Sequence, residues 1–150
     1  MTARWLRRLT NIYPPYLGAG VHVAAISDDW RFARVELPLR FYNRNYFGTH
    51  FGGSLYSMTD PFLALLASNA LGSEFIVWDR AAEIEFVAPG RGRVWAEFRL
   101  TDEHLAAMRE HTQGGAKYEP WFEVEVRGPE GELVARVRKQ LYIRQKRDRT

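Results

Sequence analysis

Between Arg44 and Glu74 the chain carries only one Asp, Glu, Lys or Arg, namely Asp60. It lies in a run where Leu55, Met58, Phe62, Leu63, Leu65, Leu66 and Ala67 cover nearly every side of a helical wheel. A helix over residues 52–71 with that distribution has no polar stripe to offer water and is buried all round. A single such helix in a chain of 150 residues finds cover only if a sheet curls about it.

The flanking segments supply that sheet. Val21, Val23 and Ala25, then Ala33, Val35 and Leu37, alternate with other residues around a turn at Asp28-Asp29, which predicts a hairpin. After Gly72 the alternation returns. Ile84, Phe86 and Ala88 oppose Glu83 and Glu85, and past Pro89-Gly90 the residues Val94, Ala96, Phe98 and Leu100 oppose Arg93, Glu97 and Arg99. Phe122, Val124 and Val126, then Ala135, Val137, Leu141 and Ile143 after Gly128-Pro129-Glu130-Gly131, form a second hairpin. A short helix over residues 101–111, capped by Thr101 or Asp102 and stopped by Gly114-Gly115, is inserted between strands.

The expectation is an α+β chain folded as one domain over 1–150, a curved antiparallel sheet around one long central helix. Residues 1–15 form an Arg-bearing helical segment that Pro14 and Pro15 stop, and residues 144–150 form a charged tail. Hydrophobic residues at 46% and charged residues at 26% fit an ordinary globular protein. The absence of cysteine excludes disulfides, thiolate catalysis and Cys-type metal sites, and no metal site is expected. Neither a signal peptide nor a membrane span is legible, so a cytoplasmic location is expected. The net charge of +3 is modest. Without a recognition helix, RNP-like strand or concentrated basic face, it does not point to nucleic acid.

The candidate chemistry gathers around Asp60, because an isolated carboxylate in a buried helix is costly and such groups are enriched at active sites. Asp60-Pro61 also reads as an ordinary helix start, with Asp60 as N-cap. Alternatively a helix from Gly53 kinks at Pro61 and leaves Asp60 at an irregular turn. Upstream, residues 45–53 read Asn-Tyr-Phe-Gly-Thr-His-Phe-Gly-Gly. The glycines let a substrate carbonyl approach free helix amides, and Asn45 and His50 are placed to orient a water or a substrate oxygen.

Asn45, Gly48, His50, Gly52-Gly53 and Met58-Thr59-Asp60 resemble the loop and helix of hotdog-fold acyl-CoA thioesterases of the phenylacetyl-CoA thioesterase type. The Ile84 to Gly90 segment is similar to the strand and turn that follow their helix. The phrases Gly48 to Gly52 and Val77 to Asp79 resemble a branch known only as thioesterase-like. The resemblance implies a hotdog fold and hydrolysis of an acyl-CoA, with Asp60 as general base or nucleophile, Gly53 as an oxyanion donor, and Asn45 and His50 as positioning residues. It also implies no cofactor beyond the coenzyme A of the substrate, and a homodimer or dimer of dimers with the acyl pocket between subunits. Gly52, Phe51 and Met58 would line the substrate site. Arg91 and Arg93, with Arg136, Arg138 and Lys139 as further candidates, would meet the CoA phosphates. Phe51 stands where the family has a histidine, which favours the alternative of a non-catalytic acyl-CoA- or lipid-binding protein. A dehydratase of hydroxyacyl thioesters is a minor variant. Trp95, Trp121 and the aromatic loop from Tyr42 to Phe51 are the expected interface anchors.

Overall fold

The computed structural model describes residues 1–146. The elements in chain order are α1 (Ala3–Thr10), α2 (Pro14–Ala19), β1 (His22–Ile26), β2 (Phe32–Leu37), α3 (Gly52–Ser57), α4 (Phe62–Leu71), β3 (Phe75–Phe86), β4 (Val94–Arg99), α5 (Asp102–His111), β5 (Lys117–Tyr118), β6 (Trp121–Arg127) and β7 (Leu133–Gln145). All pairings are antiparallel in one seven-stranded sheet ordered β1-β2-β4-β6-β7-β3, with the short β5 also pairing with β7. The strands bury alternate residues against α3 and α4. Val35, Leu37, Ala96, Phe98, Val126, Val137, Leu141 and Ile143 are wholly inaccessible. The core centres on Phe62, which lies 5.2 Å from the Phe98 ring and 5.9 Å from that of Tyr16.

The central helix is two pieces rather than one. α3 ends at Ser57 and α4 begins at Phe62, and the Asp60-Pro61 peptide bond between them is cis. Of the readings open in the sequence, this is the helix from Gly53 broken at Pro61. Asp60 caps nothing through its side chain, because Pro61 occupies the N-cap position of α4.

Pro14 and Pro15 do not simply stop a helix. They open α2, where a proline's missing N–H is no loss. β3 starts at Phe75, well before the Glu83–Ala88 alternation, because a bulge between Asp79 and Ala81 interrupts its period. α5 lies where the sequence places it. Thr101 Oγ1 accepts from His104 N–H at 3.1 Å and His104 Nδ1 accepts from Thr101 N–H at 3.2 Å, a reciprocal cap. Arg144 belongs to β7 rather than to a tail, with its Nε donating to Gly115 O at 2.8 Å. Arg147 and Arg149 lie outside the described residues.

Candidate active site

At the break between α3 and α4 the Asp60 carboxylate is 48% exposed, so it is not the buried carboxylate the sequence suggested. Its backbone carbonyl accepts a hydrogen bond from the Tyr16 hydroxyl, which ties α2 to the break. Burial, and secondarily the charge of Asp60, push the Tyr16 phenol well above its ordinary value, so it stays a donor. Behind Asp60 lies Lys139, with none of its side chain accessible. Its Nζ is 3.4 Å from Asp60 Oδ1 and 3.5 Å from Asp79 Oδ1, and it sits over the face of Tyr56 at 5.1 Å from the ring centroid.

The desolvated carboxyl of this cluster is Asp79, 18% exposed. Burial lifts its pKa, the Lys139 ammonium partly opposes this, and neighbouring Asp60 adds to the rise, leaving Asp79 at about 6. Two carboxylates around one buried ammonium make a compact triad that can hold or release one proton near neutral pH. Asp79 was not singled out as a site residue and Lys139 was read only as a phosphate ligand, yet their pairing was visible. In β7 the inward register runs Val137, Lys139, Leu141, Ile143, and in β3 Asp79 follows Phe75 and Val77 on the same side. A charged residue in the inward phase was the signal. Lys139 is therefore no phosphate ligand at a mouth, and the two arginines beside it are engaged on the outer face. Arg136 pairs with Glu85 and Glu123, and Arg138 pairs with Glu83 and lies over Trp121.

The second feature is a cavity of about 530 Å³ at the N-terminus of α3, walled by Asn45, Phe47, Thr49, His50, Gly52, Leu55, the Phe86–Gly90 turn and Arg91. The loop before α3 is self-contained. Asn45 Oδ1 accepts from the N–H groups of Phe47 and Thr49, both at 3.0 Å. Asn45 Nδ2 donates to Thr49 Oγ1 at 3.0 Å and to His50 O at 3.1 Å. Asn45 thus shapes the loop, and its amide is occupied rather than free for a water.

His50 is likewise engaged. Its Nε2 donates to Gly92 O at 2.6 Å and its N–H donates to Gly90 O at 3.0 Å, so it pins the turn that forms the far wall. Burial lowers the pKa of the imidazole and the Gly92 carbonyl only partly offsets this, so His50 is neutral at pH 7. Its Nδ1 is buried without a hydrogen-bond partner among the described residues.

Phe51 is an exposed ring lying against Gly53, and Phe86 lies against Gly52. A Cβ at Gly53 would come within 2.5 Å of Phe51, and one at Gly52 within 3.0 Å of Phe86. The glycines admit two aromatic rings to the helix start. Met58 is wholly buried in the core and is not among the walls of this cavity, which corrects its assignment to substrate. Arg91 stands at the cavity, whereas Arg93 is drawn away by Glu36 at 2.7 Å.

The structure does not bring Asp60 into the cavity of its own chain. Cavity and carboxylate lie near opposite ends of α3, separated along the helix by about 10 Å at 1.5 Å per residue. Residues 2–143 match the family described as "Domain of unknown function (DUF4442)". The chain belongs to this family. Among curated proteins none matches it.

Solved structures share the fold of this DUF4442 protein. A Pseudomonas aeruginosa protein described as a probable thioesterase aligns with a TM-score of 0.83 at 20% identity, covering 97% of each chain. A Haemophilus influenzae thioesterase aligns with a TM-score of 0.70 at 16% identity, over 97% of this chain and 92% of the other. A mutant of a Staphylococcus aureus thioesterase aligns with a TM-score of 0.64 at 14% identity, over 87% and 98%. The DUF4442 chain thus has the hotdog fold, as the resemblance implied.

Proposed function

We propose that this protein is a cytoplasmic acyl-CoA thioesterase whose site is shared between two subunits, with Asp60 as its reacting carboxylate. The observation that carries this reading is Asp60 itself, open to the surface at a break in the largely buried central helix and held from behind by Lys139. The names borne by proteins of the same fold support the reaction class. The long β3 supports the assembly. Among the described residues it pairs only with β7 and leaves its other edge unpaired, and such an edge recruits a second copy. A dimer built edge to edge on β3 would set the Asp60 of one subunit against the cavity and helix start of the other.

In this reading a water is placed between Asp60 and the thioester. Its oxygen bonds to the carbonyl carbon as its proton passes to Asp60, and charge develops on the carbonyl oxygen. Amides at the start of α3, near Gly53, receive that charge once the Phe51 ring gives way to the substrate. The C–S bond then breaks and the departing thiolate takes the proton from Asp60, leaving a free acid and coenzyme A. A direct attack by Asp60 uses the same placement. Arg91, at the cavity, is the group for a CoA phosphate.

The engaged state of His50 and the ring of Phe51 favour a second reading, a binding protein for acyl-CoA without turnover. Purified protein and its Asp60→Asn variant, offered acyl-CoA esters of varied chain length and aryl character with free thiol as readout, separate the two. Turnover lost in the folded variant supports the thioesterase. Tight binding with no turnover by the unaltered protein overturns it in favour of the binding module.

A further inference from the structure

α1 is mounted the wrong way round for a helix that helps to make a core. It is held to the exposed edge of β1 by polar side chains. Asn11 Nδ2 donates to Val23 O at 3.0 Å, Val23 N–H donates to Asn11 Oδ1 at 2.8 Å, and Arg7 Nη1 donates to Ala24 O at 3.2 Å. Ala3 is the one residue of the helix that is fully buried. Leu6 is half-buried, and the other large apolar residues of the segment turn outward. Trp5 is 57% exposed, Leu9 lies four residues on along the same face, and Ile12 continues the row at 66% exposed, with Leu17 of α2 also exposed. Isolated surface apolar residues are unremarkable, but a row of them on an ordered helix marks a contact surface.

The charge of the segment says which contact. Residues 1–27 hold no Asp or Glu, while Arg4 and Arg8 are exposed beside the row, with Arg8 stacked over the Trp5 ring at 5.8 Å. An apolar helix face with a tryptophan, flanked by arginines and free of acidic residues, matches the boundary between acyl chains and anionic headgroups. β1 and β3 are opposite ends of the sheet order, so the strand edge proposed to pair is not the one that α1 covers. The helix is already capped by Thr2 and held by Asn11, so little ordering remains to be done on contact.

We infer that the face formed by Trp5 and Leu9 of α1 and by Ile12 in the turn that follows it, with Arg4 and Arg8, docks the protein on the surface of a bilayer rich in anionic lipid. The helix lies in the interface rather than crossing it. None among the described residues is long and apolar enough to span a membrane.

The test is flotation of the full chain with phosphatidylcholine vesicles, with and without phosphatidylglycerol, at low and high salt. Binding to the phosphatidylglycerol vesicles that weakens with salt is the expected result. Arg4→Gln and Arg8→Gln should each lower affinity about fivefold. The Trp5→Ser/Leu9→Ser double variant should lose binding while keeping its circular dichroism and its mass in solution. Failure to bind these vesicles, or equal binding to both compositions, overturns the inference. So does a fall in oligomeric mass of the double variant, which would assign the face to a second copy of the chain.

Discussion

Replacing Asp79 by Asn isolates a carboxyl that burial has displaced well above its ordinary value. An Asp that titrates at 3.8 when unfolded and at about 6 when folded takes up its proton more readily in the native state. Its stabilising contribution is therefore fully present below pH 3.8 and is lost as pH rises through about 6. The full loss amounts to about 3 kcal/mol, of which roughly 2 kcal/mol falls between pH 4 and pH 7.5. Asp79→Asn abolishes that dependence. Whatever fixed cost the amide brings beside Lys139, the stability of the variant relative to the parent should climb by roughly 2 kcal/mol from pH 4 to pH 7.5.

Groups away from the triad move the absolute curves but not the difference. Burial raises the carboxyls of Glu36 and Glu97, yet Arg34 with Arg93 or Arg99 pulls both below their ordinary values. Their contribution, like that of the neutral His50, is present at neutral pH and lost on acidification in parent and variant alike. Urea unfolding at a series of pH values, at constant ionic strength, reads the difference directly. For a chain of this size it corresponds to a relative shift in Tm of roughly 4 to 8 °C. Parallel pH profiles for the two proteins would refute the assignment of a desolvated, proton-binding carboxyl at Asp79.

Lys139→Met leaves two carboxylates without their shared cation and should cost about 3–5 kcal/mol in unfolding free energy. Adding Asp79→Leu to it should recover most of that loss, and a double variant no better than Lys139→Met would argue against the pairing. His50→Ala removes the bond to Gly92 and should cost about 1–3 kcal/mol, with faster amide exchange at the Gly90–Gly92 turn as the local sign. Phe98→Ala empties the centre of the core between Phe62 and the sheet and should cost about 3–5 kcal/mol by chemical denaturation. Light scattering at micromolar concentration should find at least a dimer, and a monomer there would remove the shared site.

The sequence alone determined the plan of the molecule. A helix with no polar side must be wrapped, and the alternations at Ala33–Leu37, Val94–Leu100 and Phe122–Val126 name the strands that wrap it. These are local signals, set by the periods of helix and strand. The reciprocal cap of Thr101 and His104 was equally local, and so was the break at Asp60-Pro61 among the readings left open. Tertiary structure decided what stands next to what. Lys139 meets Asp60 across 79 positions of chain, and the bulge after Asp79 fixes where β3 places its carboxylate. The Gly92 carbonyl that claims the ring of His50 lies 42 residues away. No periodicity records such partners, because desolvation and pairing depend on distances through space. For that reason the carboxylate suspected of burial is open at the surface, and the buried one lay in a strand that alternation had not reached.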